Sequence, residues 1–300
     1  MFKSFQEIEH AVLDSAKRAR IALAGAHDLD ALSSLVRARE AGIAHGILIG
    51  RTGQVREILK RLGQLETDWE LIEEPDAAQA AARACRLVKA GEADIPMKGI
   101  MQTADFMRAI LDKSNGFVLE KQLLSQATVF EFQGRLMVAS DCAVNIAPEY
   151  PDKVKIMKNA VDLARRLGCV QPKVAVLAPV EMVNPAMIST VEAAMLSKAS
   201  ERGQIKNCIV DGPLALDNAL SKEAARHKGI AGPIAGEADV LILPDLASGN
   251  IFTKSLTYVA GLPTAGVLNG TTVPVIMTSR TDRAQDKYHA VLIAVMQAVS

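Results

Sequence analysis

The chain has 300 residues, 49% of them apolar, so it can bury a sizeable core and is long enough for two domains of ordinary size. Lys plus Arg equals Asp plus Glu, 34 against 34, which leaves no global field to draw the chain toward nucleic acid or an anionic membrane surface. Any anionic ligand must therefore be met by local charges.

From Met1 to His10 charges are mixed among the apolar side chains, which does not read as a secretory signal. No apolar run along the chain approaches the roughly 18 to 20 residues of a membrane span. A soluble, cytoplasmic protein without membrane or nucleic-acid partners is the expectation. Short β-branched or apolar runs then alternate with helical stretches: Ile21 to Ala24, Gly46 to Ile49, Trp69 to Ile72, Val174 to Ala178, Cys208 to Val210, Val240 to Leu243 and Val273 to Thr278. Ala77 to Ala84, after an Asp76-x-x-Gln79 capping pattern, reads as a helix, as does the stretch after Pro151 with Val154, Met157, Val161 and Ala164 at helical spacing. Gly42, Gly63, Gly91, Gly168, Gly203 and Gly229 stand where helices should stop. This is the rhythm of an α/β protein with doubly wound, mostly parallel sheets.

Residues Leu123 to Ser140 break the rhythm. They read as two strands joined at Gln133-Gly134, an antiparallel hairpin with no helix between them, and so mark a seam. The expected organisation is a first lobe over 1–122 and 266–300, with the last strand and helix returning to it, and a second lobe over 123–265. Cys85, Cys142, Cys169 and Cys208 show no Cys-x-x-Cys spacing, and the five histidines are dispersed, so no disulfide framework or structural metal site is expected.

Five polar or Gly-rich segments fall where strands should end, the edge at which open α/β sheets bind ligands. They are Pro96 to Thr103 (with Lys98, Gly99 and Gln102), Pro179 to Pro185, Asp211-Gly212-Pro213, Pro244 to Asn250 (with Ser248 and Gly249), and the Ser279-Arg280 turn. Each also has an ordinary reading, because Asp, Ser and Asn are common turn and cap residues. In the last segment Asp282 reads as the N-cap of a helix, which puts Asp286 in its first turn with a carboxylate leaning back toward Ser279 and Arg280. An acid there also complements the helix dipole, and residue type alone favours that plainer role. Arg108 lies off the apolar face of an expected helix Ala104 to Asp112; a solvated Arg is the default, although a guanidinium beside backbone amides suits a phosphate. No phosphate-loop, dinucleotide or serine-elbow motif occurs.

Several blocks in this order resemble the phosphate acetyltransferase and phosphate butyryltransferase family: Met97-Lys-Gly-Ile-Met-Gln-Thr103, Val144-Asn-Ile-Ala-Pro148, Asn159-Ala-Val-Asp-Leu-Ala164, Asp211-Gly-Pro-Leu-Ala-Leu-Asp-Asn218, His227-Lys-Gly-Ile230, Pro244-Asp-Leu246 with Gly249-Asn250, and Thr278-Ser-Arg-Thr-Asp282. The resemblance spans nearly the whole chain. It implies a two-lobed fold with an interlobe cleft, similar to the isocitrate and isopropylmalate dehydrogenases, usually as a homodimer or higher homo-oligomer. It also implies reversible transfer of a short acyl group between coenzyme A and inorganic phosphate, with acyl phosphate as product, coenzyme A as substrate and no permanently bound cofactor. The family's catalytic serine, arginine and aspartate fall on Ser279, Arg280 and Asp286, and a phosphate-binding arginine falls on Arg108. Lys98, Gly99, Gln102, Thr103, Ser248, Gly249 and Asn250 complete the expected substrate contacts.

Two departures qualify the match. An arginine of the acetyl branch ahead of the Gly loop has no matched residue here, although Arg83 and Arg86 are near. Ile276-Met-Thr-Ser279-Arg280-Thr281 and the Lys98-Gly99 loop are closer to the butyryl branch. The rival readings are a non-catalytic acyl-coenzyme A or acyl-phosphate binding protein and a decarboxylating dehydrogenase of the same architecture. The latter needs paired carboxylates for a metal and a dinucleotide loop, neither of which is evident.

Overall fold

A computed structural model describes residues 1–15 and 17–299. The chain forms two compact units, one split in sequence (Phe5–Gln122 and Pro263–Ser300) and one inserted into it (Leu123–Leu262, joined by Met1–Ser4).

The split unit contains α1 (Phe5–Asp14), β1 (Ala19–Ala24), α2 (Leu29–Glu40), β2 (Ala44–Gly50), α3 (Thr52–Arg61), β3 (Glu70–Glu73), α4 (Ala77–Lys89), β4 (Ile95–Lys98) and α5 (Thr103–Leu111). After the insertion come β10 (Thr264–Asn269), β11 (Val275–Ile276) and α11 (Ala284–Val299). Its strands run in the order β3-β2-β1-β4-β11-β10, all parallel except that β10 opposes β11. Residues 290–295 of α11 are buried all round, the signature of a helix packed on every side. It lies against α1, α2 and β10, and this packing directs its first turn.

The inserted unit contains β5 (Ser125–Phe132), β6 (Arg135–Ser140), α6 (Tyr150–Arg166), β7 (Lys173–Leu177), α7 (Ile188–Glu201), β8 (Ile209–Leu214), α8 (Leu216–Leu220), α9 (Lys222–His227), β9 (Val240–Ile242) and α10 (Leu246–Tyr258). Strand order is β5-β6-β9-β7-β8, antiparallel between β5 and β6 and parallel elsewhere. The hairpin turn at Gln133 and Gly134 has both residues at positive φ, +50° and +73°, the geometry of a tight two-residue connection. The unit's core joins Phe130, Met137, Ala175, Leu241 and Leu256.

The six helix-ending glycines all take positive φ. Asp76 accepts from the Gln79 amide at 2.8 Å, and Pro151 sits in the first turn of α6. Three local expectations fail. The strand expected over Val273 to Thr278 is only Val275–Ile276, because Pro274 has no amide hydrogen to give to a ladder, and β10 ahead of it went unread. Asp211-Gly212-Pro213 lies inside β8 rather than after it; β8 is last in its unit's strand order, the edge position at which a proline is tolerated. Ser248, Gly249 and Asn250 belong to the first turns of α10, not to a loop.

Candidate active site

The turn after β11 carries the residues of most chemical interest. Thr278 is the last buried residue before Ser279 and Arg280 emerge exposed. The Ser279 hydroxyl lies 3.1 Å from that of Thr281, and its amide donates to the Asp282 carboxylate at 2.7 Å. Helix α11 begins only at Ala284, with the Lys287 amide donating to the Arg283 carbonyl at 3.0 Å. Asp282 is therefore not the helix cap that its spacing suggests; its carboxylate closes the turn on Ser279.

Asp286 also departs from expectation. It is buried in the first turn of α11, and its carboxylate bonds to neither Ser279 nor Arg280. It accepts from the Arg283 guanidinium at 2.8 and 3.2 Å and from the Thr264 amide and hydroxyl at 3.2 and 3.4 Å. The backward lean of helical side chains brings the carboxylate to Arg283, and β10, which packs beside α11, supplies the Thr264 amide and hydroxyl.

Arg280 reaches the other half of the site. One of its guanidinium nitrogens lies 3.5 Å from Oε1 of Gln102, the residue at the N-cap of α5. Gln102 makes no side-chain cap to that helix, so the exposed Arg280 stands beside an N-terminus whose dipole and amides favour anions. Thr103 is exposed there too. Arg108, on the same helix, donates to Asp105 at 2.9 Å with its side chain 71% exposed, the solvated disposition that its position off the apolar face implies.

Beneath the turn the backbone is tightly built. Gly99 crosses the end of β1 so closely that a Cβ would lie 2.8 Å from the Ala24 carbonyl oxygen and nearer still to that of Gly25. Gly25 itself has φ +72°, and the Gly99 and Ile100 amides donate to the Ala24 and Gly25 carbonyls at 2.8 and 3.0 Å. Lys98, expected in a ligand loop, is instead 1% exposed at the end of β4; its ammonium donates to the Thr278 carbonyl at 3.1 Å and the Gly99 carbonyl at 3.4 Å. Burial, with the Lys287 and Arg280 charges, pushes its pKa down to about 8, against the pull of Asp28 and Asp282.

Lys287, Asp28, Gly25 and Arg283 were not singled out in the sequence as structural partners of this turn. Lys287 left the clearest trace, the last Lys, Arg, Asp or Glu ahead of the uninterrupted apolar run from Ala290 to Met296.

The expected contacts in the inserted unit have structural work. Ser248 forms a capping box with Asp245, Asn250 donates to the Cys142 carbonyl at 3.4 Å, and Gly249 presses on the Asp141 carbonyl where no Cβ would fit. Burial raises the Cys85 thiol to about 12 and those of Cys142, Cys169 and Cys208 to about 11, so none is poised as a thiolate near neutrality. Among the described residues, no group of three His, Cys, Asp or Glu could hold a metal, and no helix is long and apolar enough to cross a membrane.

Residues 57–295 match a family model described as "Phosphate acetyl/butaryl transferase". The chain is 43% identical over 300 residues to a phosphate butyryltransferase of Clostridium acetobutylicum, with 99% of each chain covered. It is 37% identical over 284 residues to a phosphate acetyltransferase of Thermotoga maritima, with 94% of this chain and 96% of that one covered. Among solved structures, a branched-chain phosphotransacylase from Enterococcus faecalis superimposes with a TM-score of 0.83 at 32% identity, over 93% of this chain and 99% of that one.

Proposed function

Because the chain belongs to the phosphate acetyl/butyryl transferase family, we propose that it moves a short acyl group, butyryl in preference to acetyl, between coenzyme A and inorganic phosphate through the Ser279–Arg280 turn. Its small-molecule partners are then a coenzyme A thioester and phosphate or acyl phosphate, and its assembly a homodimer. The observation that carries the reading is the approach of Arg280 to Gln102. A guanidinium stands beside an uncapped helix N-terminus, one residue after the exposed Ser279 hydroxyl, a combination suited to a phosphoryl group next to a carbonyl.

In the direction of thioester synthesis the coenzyme A thiol attacks the acyl-phosphate carbonyl carbon. The S–C bond forms, the C–O bond to phosphate breaks, the phosphate leaves with its electron pair, and the thiol proton passes to a base. No acyl-enzyme is required. Ser279 donates to the carbonyl oxygen as negative charge grows on it, a contribution of about 10²–10³ in rate for one such donor. Arg280 holds the phosphate, and Arg108 joins it after leaving Asp105. Asp286 is the base. For this its carboxylate must part from the Arg283 guanidinium, whose side chain is 55% exposed and able to swing outward.

The proton transfer needs help. A reference aspartate and a reference thiol differ by about 4.6 pKa units, ~6 kcal/mol, so a nearby guanidinium must also stabilise the thiolate. The test is release of coenzyme A thiol from acetyl-, propionyl- and butyryl-coenzyme A on adding phosphate. Release is expected to be fastest with butyryl, and Asp286→Asn should lower turnover by about 10²–10⁴. No phosphate-dependent release from any thioester would overturn the activity. A loss below tenfold in Asp286→Asn would remove the base.

A further inference from the structure

Two consecutive carbonyls of the reactive turn are each held by a buried ammonium. Lys98, from the end of β4, donates to the Thr278 carbonyl at 3.1 Å; Lys287, from the first turn of α11, donates to the Ser279 carbonyl at 2.7 Å. Both lysines are 1% exposed. Because a peptide unit is planar, the Thr278 carbonyl fixes the plane before Ser279 and the Ser279 carbonyl fixes the plane after it. The first plane is held on its other edge as well, by the Ser279 amide donating to Asp282 at 2.7 Å. With both flanking planes held, the φ and ψ of Ser279 are set, and so are the departure of its hydroxyl and the start of Arg280.

This is a costly way to build a turn. A buried ammonium loses its hydration, and a pair of them repel. Lys287 lies 3.9 Å from the Asp28 carboxylate, and Asp28 already caps α2 through the Asp30 and Ala31 amides. Around Lys98 three cations (itself, Lys287 and Arg280) face two carboxylates, Asp28 and Asp282. Apolar side chains of similar volume fill such positions at less cost to stability. Two lysines there serve something other than folding: they hold positive charge directly behind the surface on which a phosphate would sit.

We infer that Lys98 and Lys287 are positioning residues, a pair of buried ammonium groups that lock the peptide planes on either side of Ser279 and back the turn with positive charge, so that the turn takes a phosphate dianion. This rests on the acyl-transfer reading of the turn. Neither lysine touches substrate; each acts through the backbone of Thr278 and Ser279.

The test compares wild type with Lys98→Met, Lys287→Met and Lys287→Arg, with the core variant Val295→Ala as a control for general loss of stability. In each Met variant kcat/KM for phosphate should fall about 10- to 100-fold, the range that a misplacement of about 1 Å can cost, while KM for butyryl-coenzyme A stays within about twofold. The unfolding midpoint without ligand should hold or rise in the Met variants, and Lys287→Arg should recover part of the loss. Inorganic phosphate should raise the midpoint of wild type more than that of either Met variant. A kcat/KM for phosphate within about twofold of wild type would overturn the inference, as would the same kinetic loss in Val295→Ala. If wild type releases no thiol, the activity assignment falls separately and the phosphate titration still decides: equal midpoint shifts in wild type and both Met variants reject the positioning role.

Discussion

Gly99 shows how a single residue sets the site. Its Cα passes so near the Ala24 and Gly25 carbonyls that a methyl group would meet backbone, which cannot rotate away as a side chain can. Gly99→Ala is expected to destabilise the split unit by about 1–3 kcal/mol, the usual cost of overpacking, and to move Lys98 and hence the Thr278 carbonyl. Urea unfolding together with the thiol-release assay checks this; a variant with wild-type stability and rate would show that the crossing is loose. Asp286 carries the opposite lesson. Its place in the first turn of α11 is legible from Asp282 onward, but its partner Thr264 is not, because that residue lies 22 positions away on another element. A carboxylate bonds to the nearest donors, and only the folded chain says which these are.

Among the elements, α11 does most to connect packing to the site. Its run from Ala290 to Val295 is buried throughout, while the turn that precedes it bears Ser279 and Arg280 in solvent. Its pose, held by α1, α2 and β10, determines where the Lys287 ammonium arrives. Ile293→Ala should cost ~2–5 kcal/mol, the transfer of the lost methyl groups plus a cavity, with KM for phosphate little changed. Thermal unfolding measures the first and steady-state kinetics the second; a cost below ~1 kcal/mol would mean the helix repacks. Period and caps made most helices readable, α6 from Pro151 and α4 from Asp76. The strands β4 and β10 were harder: Pro96 and Lys98 break the apolar pattern of β4, and Thr264, Gly266 and Asn269 break that of β10.

Over the whole molecule the charges balance, and acid sensitivity comes from individual groups, paired carboxylates such as Glu237 and a buried histidine among them. His289 is the clearest. Its ring stacks on Phe5 at 4.0 Å between centroids, and Nδ1 donates to the Thr264 carbonyl at 3.2 Å, which leaves Nε2 to accept from Gln285. Burial pushes its pKa down to about 4, against the upward pull of that carbonyl and of Asp286. The unfolded chain takes up a proton near 6.5 while the folded one does not, so stability present above pH 6.5 declines as pH falls toward 4 and is fully lost below it. His289→Gln should flatten the dependence of stability on pH between 6.5 and 4 by up to about 1.4 kcal/mol per pH unit, one proton's worth. Unchanged slopes in denaturant titrations at several pH values would assign the acid sensitivity elsewhere.

The amino-acid order by itself determined what is local: the α/β alternation, the hairpin at Gln133-Gly134, the left-handed glycines that end helices, and the family blocks, one of which runs through Ser279 and Arg280. These follow from periodicity, capping and backbone sterics over a few neighbours. Only the tertiary structure decided that Lys98 and Lys287 lie beneath Ser279, that Asp286 meets Thr264, and that Gly249 and Asn250 meet the backbone of Asp141 and Cys142. Each of these depends on which groups from distant segments come within about 3 Å of one another, and hydrogen bonds are too short-ranged for spacing along the chain to foretell them.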